Sequence, residues 1–454
     1  MPPRHAPIHY TYTPIHILYF TSLLSIALMK ENKDFDDYEA IIMKSNIPPI
    51  AIRNARIQKA VQLDVPDRVP FVPSIQNFYA LGYDITVYEA MKNLKSIIPA
   101  METLLEQYDP DLLYVPGFFP IDVMEAAGAK NLRWPGDYWG LPPNTPYQYV
   151  DKSFIEDDAD WDSFIKDPTA FLLQKVLPGR YKSFEGLGRL NVHALCSAAP
   201  LSLAGAGLPP VAEALRNLAS VAELTVKAIG EMTEIAMHAI NMGYPIWGNL
   251  AAITPFDEFA DCIRGMMPAL MDLHDDPERL NEALIRWGDV TIPAYIRQAL
   301  AMHSEYAMIP LHCGVDEFMS VDNYNKYYWP HLKRLIMAFL EIGVTPIVMC
   351  EGKYYTRLET LTDIPKGKVI YLFERVDMKR VKAVLGGVAC IAGNMPTQYL
   401  ISGSTERVVE ETKRLIETCA PGGGYIMSNS LALDNIDHRL MRAWYETTVS
   451  FGKY

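Results

Sequence analysis

Cysteine is scarce in this sequence, and no two cysteines are spaced as a CxxC pair. The six positions in the 454 residues are Cys196, Cys262, Cys313, Cys350, Cys390 and Cys419. This pattern argues against a disulfide framework and offers no paired-cysteine zinc motif. Isolated cysteines in a long chain are typical of small buried residues in a reducing compartment. We therefore predict a cytoplasmic protein.

Positive charge is also sparse and scattered. The chain has 41 Lys and Arg against 54 Asp and Glu, a formal net charge of −13, without any Lys/Arg-rich block. Since binding to a nucleic-acid backbone needs a concentrated positive surface, we expect no nucleic-acid partner. The 50% hydrophobic and 21% charged residues are ordinary globular usage, which favours a protein with a large core and a small-molecule substrate.

The sequence has one conspicuous hydrophobic run, near its N-terminus. The run from Ile15 to Met29 is shorter than the roughly twenty residues of a spanning helix, so we expect no stable membrane span. Three interpretations stay open: a signal-like or anchoring segment after Arg4, a packed helix, or sequence ahead of a true translation start at Met29. We predict that residues 1–52 are not part of the folded domain. A chain that begins at Met29 should fold and dissolve equally well.

From residue 53 to residue 454, short apolar segments alternate with helical patterns. The segments are bounded by Gly and Pro and are typical of parallel strands buried on both faces. They cover residues 68–74, 111–117, 244–253, 307–314, 345–352, 368–374, 389–396 and 422–429. Eight such strands with intervening helices predict an α/β fold, a (β/α)₈ TIM barrel built as one domain.

An irregular insertion interrupts this rhythm at residues 132–187, after the second strand. It is rich in Pro, Asp, Trp and Tyr and has no clear periodicity. An insertion at this point lies at the carboxyl ends of the strands, here called the mouth, where TIM barrels carry their active sites. The insertion is therefore a candidate lid or substrate wall, and a solvated surface excursion is the alternative.

Polar residues follow several of the predicted strands and are the candidate site residues. The fourth strand ends at His312 and Asp316, the fifth at Glu351, Tyr355 and Arg357, and the seventh contains Cys390 and Asn394. We predict that His312, Asp316 and Glu351 converge at the mouth as acid and base groups, because adjacent parallel strands bring their ends together. Tyr355, Arg357 and Asn394 are candidate substrate contacts.

Each candidate also has a structural alternative. His312 could be a hydrogen-bonded structural histidine, and Glu351 could form an ion pair with Arg357. Asn394 could cap the turn that follows it. The cysteines are most simply packing residues, although a metal site drawn from His312, Glu351 and Cys390 stays open.

Several motifs resemble the uroporphyrinogen decarboxylase superfamily, in the order in which that superfamily has them. Arg56–Pro73 is similar to its entry into the first strand, and His312–Ile336 to its fourth strand and following helix. Ala392–Ile416 resembles its Gly-Asn element at the seventh strand, and Gly422–Ser430 its final strand. The resemblance covers residues 53–454. It implies a TIM barrel that acts as a decarboxylase or as a corrinoid- or thiol-dependent methyltransferase.

The sequence departs from both patterns at the working positions. The decarboxylases have an Arg-rich loop after the first strand, where Ser74–Gly82 contains no Arg, and a final-strand His that is missing here. The zinc methyltransferases of the superfamily use His-x-Cys at the fifth strand and Cys at the eighth. This chain has Met349 and Glu351 at the former and Ser428–Ser430 at the latter.

The resemblance therefore implies three hypotheses. The first is a methyltransferase that moves a methyl group to or from a corrinoid or another small acceptor, with a corrinoid protein as partner and zinc as a conceivable cofactor. The second is a decarboxylase, a lyase that acts on a tetrapyrrole or a smaller carboxylated substrate. The third is a non-catalytic barrel that binds a tetrapyrrole.

Overall fold

The computed structural model describes residues 50–454 except 116, 197–198 and 431. The first helix within the described residues begins at Ile50, three residues before the predicted domain boundary. The predictions for the hydrophobic run and for a start at Met29 concern residues 1–49, which lie outside the described residues. In the part of the chain that is described, no helix combines the length and the apolar character that crossing a membrane requires.

Nine strands are present in the described chain. They are β1 (Leu113–Tyr114), β2 (Leu132–Arg133), β3 (Gln148–Tyr149), β4 (Ile246–Trp247), β5 (Tyr306–Leu311), β6 (Thr345–Cys350), β7 (Ile370–Phe373), β8 (Cys390–Ala392) and β9 (Tyr425–Ile426). Strands β5 to β9 form a parallel sheet in chain order, β1 pairs with β4 in parallel, and β2 and β3 form an antiparallel pair.

Helices fill the connections between the strands. They are α1 (Ile50–Val61), α2 (Phe78–Leu81), α3 (Val87–Lys92), α4 (Ile98–Tyr108), α5 (Ile121–Ala127), α6 (Asp158–Lys166), α7 (Pro168–Phe171), α8 (Leu177–Arg180), α9 (Val192–Leu195), α10 (Pro209–Asn241), α11 (Pro255–Phe259), α12 (Met266–Asp275), α13 (Pro277–Ala301), α14 (Val321–Asn323), α15 (Trp329–Glu341), α16 (Met378–Leu385), α17 (Thr397–Ser402), α18 (Thr405–Cys419) and α19 (His438–Phe451).

Seven of the eight predicted parallel segments contain a strand, whereas the segment 68–74 has isolated bridges only, and the described residues do not form one regular closed ladder. Isolated parallel bridges join Ala251 to Met308 in β5, and Phe71 to Met427 after β9. The first segment contains Pro70 and Pro73, which have no N–H to donate to a neighbouring strand. The α/β character is thus confirmed, while regular strand pairing is limited to the five-stranded sheet and the shorter pairs.

Strand β4 is short because the backbone turns at Gly248. This residue has φ 78°, and a Cβ placed on it would lie 2.5 Å from the Tyr114 ring of β1. Only glycine adopts this conformation with an aromatic ring so close. The close approach keeps the second and third parallel segments together beyond their two paired residues.

A buried apolar cluster lies on the inner side of the parallel segments, separate from the larger core between strands and helices. Its members include Val72, Trp247, Tyr306, Ile347, Ile370, Leu372, Cys390, Ala392 and Ile426. Within one strand these residues recur at every second position, as expected when alternate side chains point to one face. This alternation sets which residues at the strand ends face the mouth.

The insertion packs onto the fold. Phe154 and Phe164 belong to the main core, and the Phe154 N–H donates to the Ile263 carbonyl at 2.7 Å. Trp134 is fully buried and stacks with Tyr138 at a ring separation of 5.0 Å. The aromatic residues therefore anchor the insertion, so the alternative of a wholly solvated excursion is wrong.

One buried carboxylate joins α1 to the beginning of β1. Asp111 is fully buried, forms an ion pair with Arg56, and accepts hydrogen bonds from Arg68 at 2.7 and 3.0 Å. It also accepts from the Phe71 N–H at 2.8 Å, which fixes the first parallel segment beside the second. Four donors thus share one carboxylate that water does not reach.

Candidate active site

The inner-facing alternation continues past the strand ends and places polar side chains at the mouth. Leu311 and Cys350 are register partners in β5 and β6, so the next residues, His312 and Glu351, leave the sheet at the same level. The same alternation, counted from inner residues of each strand, also places Glu374 after β7 and Asn394 after β8 on this side.

His312 lies between two carboxylates. Its Nδ1 is 3.1 Å from Asp261 Oδ2, and its Nε2 is 3.5 Å from Glu351 Oε2. The side chains of His312 and Glu351 are 34% and 38% exposed, so solvent reaches both. The structure therefore brings two of the three predicted acid and base residues together.

The carboxylates determine the charge of the histidine. Burial by itself lowers the pKa of an imidazole, but the Asp261 hydrogen bond and the charges of Asp257 and Glu351 raise the pKa of His312 to about 9. Burial raises the pKa of Glu351 above its ordinary value, against the opposing attraction of His312. His312 is consequently an imidazolium at neutral pH, a proton donor rather than a base.

Asp261 was missed by the sequence analysis. It lies in a π-helical turn, Ala260–Arg264, that continues α11 after the third parallel segment. The sequence did contain a signal for this residue. Thr254 and Pro255 are typical of a helix start directly after the third parallel segment, and the first turns of that helix face the mouth. The Thr254 side chain accepts from the Asp257 N–H at 3.1 Å and caps α11 as this pattern predicts.

Asp257, also missed, joins α11 to the end of β5. It is fully buried and accepts hydrogen bonds from the Cys313 N–H at 2.8 Å, the Thr254 hydroxyl at 3.0 Å and the Tyr328 hydroxyl at 2.5 Å. Since Cys313 follows His312 directly, this bond fixes the backbone that carries the histidine. Asp257 is a positioning group, with its oxygens held by the protein.

Asp316 does not join His312 and Glu351. Its carboxylate accepts from the Tyr355 N–H at 2.8 Å and from the Thr356 hydroxyl at 2.8 Å. The predicted convergence is therefore wrong for this residue, because its oxygens bind the loop after β6. Tyr355 is half exposed, and its ring lies 4.7 Å from the guanidinium of Arg380 instead of beside His312.

Arg357 is only 1% exposed and binds backbone. It donates to the carbonyls of Gly314 at 3.1 Å, Val315 at 3.2 Å and Met319 at 2.5 Å. It forms neither the ion pair with Glu351 nor an accessible substrate contact, because these carbonyls occupy its donors. Its role is to hold the loop after β5 against the loop after β6.

Replacing Arg357 should therefore reduce stability and spare chemistry. Arg357→Met removes the side-chain donors to three carbonyls, of which that of Val315 keeps the Phe318 N–H at 3.2 Å, and we expect a loss of about 2–3 kcal/mol in the free energy of unfolding. Chemical denaturation measures this loss, and Lys333→Met, which removes an exposed ion pair with Asp363, is the control. A variant with wild-type stability and impaired ligand binding would contradict this assignment.

Asn394 acts as a cap. Its amide donates to the carbonyls of Glu374 at 3.0 Å and Val376 at 2.9 Å, which fixes the turn after β7. It also lines a cavity of about 230 Å³ together with Glu374, Arg375 and Arg414. Asn394 thus has a structural role, but the turn that it fixes is the one after β7 and not the turn that follows Asn394 itself.

The residues proposed for a metal do not fit one. Cys390 is the register partner of Ile370 in β7. Phe373, three residues further along β7, is the register partner of Cys350 at the end of β6. Three residues of a strand span about 10 Å, so Cys390 lies too deep to share an ion with His312 and Glu351. Burial also raises the pKa of its thiol, whereas zinc binds the thiolate. Across the described residues, no three His, Cys, Asp or Glu side chains are grouped to hold a metal ion.

The raised pKa of His312 predicts a specific pH dependence. Because the folded value of about 9 lies above the ordinary 6.5, protonation stabilises the fold fully below pH 6.5. This stabilisation is lost as the pH rises through about 9. Nuclear magnetic resonance titration of the imidazole should give this pKa, and Asp261→Asn should lower it. A value at or below 6.5 would contradict the arrangement.

Comparisons with known proteins place this chain in a family. The profile of the family described as uroporphyrinogen decarboxylase (URO-D) matches residues 205–433, just over half of the chain and including His312 and Glu351. No curated protein sequence matches significantly.

Two solved structures are similar to the chain. A methyltransferase from Methanosarcina mazei matches with a TM-score of 0.58 at 13% identity, over 88% of this chain and 98% of that one. A B12-independent methionine synthase from Shewanella sp. W3-18-1 matches with a TM-score of 0.33 at 11% identity, over 49% of this chain and 64% of that one. The first match and the family profile indicate an α/β TIM-barrel fold. The chain belongs to the uroporphyrinogen decarboxylase family.

Proposed function

We propose that this protein is a methyltransferase that moves a methyl group from a small methylated compound to a corrinoid, free or held by a carrier protein. The observation that carries the proposal is the position of the His312 ring at the strand ends, between Asp261 at 3.1 Å and Glu351 at 3.5 Å. Family membership and the fold shared with a methyltransferase support it.

The proposed reaction requires one proton at the mouth. When the methyl group leaves its heteroatom for a nucleophile, the electron pair of the broken bond stays on the heteroatom, which then takes a proton. His312 Nε2 supplies this proton, and Asp261 holds the ring through Nδ1 and stabilises its positive charge. Glu351 lies beside Nε2 and returns a proton to it from solvent.

The negative charge around His312 distinguishes between the methyltransferase and decarboxylase hypotheses. A decarboxylase would also use His312 as an acid, to protonate the carbon that loses CO₂. However, Asp257, Asp261 and Glu351 surround the histidine, and Ser74–Gly82 contains no Arg. Multiple substrate carboxylates would be repelled by these three groups, and the single positive charge of His312 cannot balance them, which favours methyl transfer over action on a polycarboxylated tetrapyrrole.

Absorption spectroscopy under anaerobic conditions tests the proposal. The protein is mixed with cob(I)alamin and, one at a time, with methylated amines, thioethers and methoxyaromatics. Conversion of cob(I)alamin to methylcobalamin that depends on the protein is the expected result. A binding titration with methylcobalamin alone separates corrinoid binding from turnover.

Each outcome has a meaning. Corrinoid binding without turnover by any donor, unaffected by His312→Gln, would support the non-catalytic barrel instead. Release of CO₂ from a carboxylated substrate, without any corrinoid reaction, would support the decarboxylase. The absence of both corrinoid binding and methyl transfer would overturn the proposal.

A further inference from the structure

Aromatic rings of the insertion lie at the mouth beside the candidate site. The rings of Tyr147 and Tyr149 are 5.6 Å apart, and Tyr147 also contacts Phe119 at 4.6 Å between ring centres. We call these three residues the aromatic wall. Tyr149 is 70% exposed, so most of its ring is open to a ligand. Apolar rings left open beside a few polar groups are typical of a small-molecule site.

Backbone hydrogen bonds hold the aromatic wall next to Asp261. The Phe154 N–H donates to the Ile263 carbonyl at 2.7 Å, and the Met266 N–H donates to Asp151 at 3.3 Å. Both bonds join the segment that follows β3 to the turn that carries Asp261 or to the start of α12 directly after it. The wall and this carboxylate therefore belong to one packed unit.

The charges of the site act on these rings. Burial raises the pKa of the Tyr149 phenol, and the charge of Asp261 adds to the effect. Burial also raises the pKa of Tyr147 and of Tyr114, which packs against the inner cluster from β1, and the charge of Glu351 contributes to both shifts. Each of the two carboxylates therefore has a phenol ring near it.

The mouth has an excess of negative charge. Burial raises the pKa of Glu351, and the charges that act on this residue are those of His312, Asp257, Glu374 and Asp261. Three of these four groups are carboxylates. A ligand that brings one positive charge offsets the excess, whereas an anionic ligand is repelled.

The aromatic wall offers ring faces rather than free hydroxyl groups. Against burial, which raises the pKa of Tyr147, hydrogen bonds from Tyr149 and Gln76 lower it. The hydroxyl groups of the wall thus interact with one another and with a neighbouring amide. The face of an aromatic ring attracts a cation electrostatically and requires no hydrogen bond.

We propose that the methyl donor is a small quaternary ammonium ion, whose methyl groups lie against the aromatic wall and whose charge faces Asp261 and Glu351. This inference rests on the proposed function and names the class of its substrate. A quaternary ammonium ion has no N–H to donate and carries its charge on a shell of methyl groups. Ring faces and nearby carboxylates are the surroundings that suit such an ion.

The transfer balances for this donor. The carbon–nitrogen bond breaks and its electron pair stays on nitrogen, while the methyl carbon forms a bond to cobalt with the electron pair of cob(I)alamin. Cobalt is formally oxidised from I to III, and the ammonium ion becomes a neutral tertiary amine. The lone pair of the amine then takes the proton of His312, so that the amine cannot take the methyl group back.

Isothermal titration calorimetry of the full-length protein, without any corrinoid, tests the inference with two matched probes. Choline and neohexanol differ only in the atom that carries the three methyl groups, a cationic nitrogen in the first and a neutral carbon in the second. Choline should bind at least about tenfold more tightly. Equal affinities, or no binding of choline up to about 10 mM, would overturn the inference.

Substitutions of the most exposed ring locate the binding site. Tyr149→Leu keeps an apolar side chain but removes the ring, and should weaken choline binding about tenfold. Tyr149→Phe keeps the ring and should stay within about threefold of the wild type. Tyr138→Leu changes another exposed tyrosine of the insertion, which stacks on Trp134, and should leave the affinity unchanged. Choline binding that Tyr149→Leu does not weaken, or that Tyr149→Phe weakens equally, would contradict a cation held on the ring.

The inference and the proposed function fail in different ways. If choline does not bind while an uncharged donor still methylates cob(I)alamin, the quaternary class is wrong and the proposed function stands. If choline binds and depends on the Tyr149 ring, but none of the donors yields methylcobalamin, the class of ligand stands and the proposed function is wrong.

Discussion

His312→Gln is expected to reduce the rate of methyl transfer by about 10²–10⁴-fold, the usual contribution of a general acid. Glutamine keeps the approximate length and one donor but cannot release a proton near neutral pH. The loss should appear in kcat rather than in KM, because the proton is needed only when the methyl bond breaks. Stopped-flow measurement of methylcobalamin formation gives both constants.

A second histidine provides the control for this variant. His331 is buried in α15, where its Nε2 is 3.0 Å from Asn281 Oδ1, and burial lowers its pKa to about 4. His331→Gln keeps a donor to Asn281 and should leave turnover intact. If His312→Gln retains more than about a third of wild-type turnover, His312 has a structural role only.

Asp111→Asn is expected to have the largest effect on stability. The substitution removes the charge that balances Arg56 and Arg68 in a site without water, and the cost of such a broken pair is about 3–5 kcal/mol. Arg56 keeps a bond to Asp67 at 2.8 Å, so Arg68 bears most of the loss. The midpoint and slope of a denaturant unfolding curve report the change.

An exposed aspartate shows what an ordinary ion pair is worth here. Asp158 is 90% exposed and pairs with Arg279 at 2.6 Å. Because solvent screens this pair, Asp158→Asn should change the free energy of unfolding by less than about 1 kcal/mol. If Asp111→Asn cost as little as Asp158→Asn, Asp111 would not hold the first parallel segment.

The sequence was informative where burial leaves a simple pattern. Apolar runs located the parallel segments, and the regular ends of β5 and β6 allowed His312 and Glu351 to be placed together from register alone. Cys390 was assigned to the mouth from its motif and not from its register. The register shows that it lies about three positions deeper, in β8. A residue can be placed at the end of a strand from the sequence only when its register position along that strand is determined.

Loop partners could not be read in this way. Asp316 and Arg357 carry opposite charges and lie close to His312 and Glu351 in sequence, yet both bind mainly to groups of the two loops. Such bonds depend on the path of the backbone, which charge and spacing do not reveal. Asp261 escaped notice because only residues at the strand ends were considered, whereas it lies in the π-helical turn that follows the helix start at Thr254 and Pro255.

The buried hydrogen bond from the Cys313 N–H to Asp257 fixes the backbone at the end of β5. The residues that hold the site in place are therefore different from the side chain proposed to carry out the reaction. The backbone N–H that Asp257 holds belongs to Cys313, which directly follows His312, the proposed proton donor. Position 312 can therefore exchange its side chain during evolution while the strand end keeps its geometry. A family built on such a division can acquire new reactions by single replacements at the mouth, without first losing the barrel that presents them.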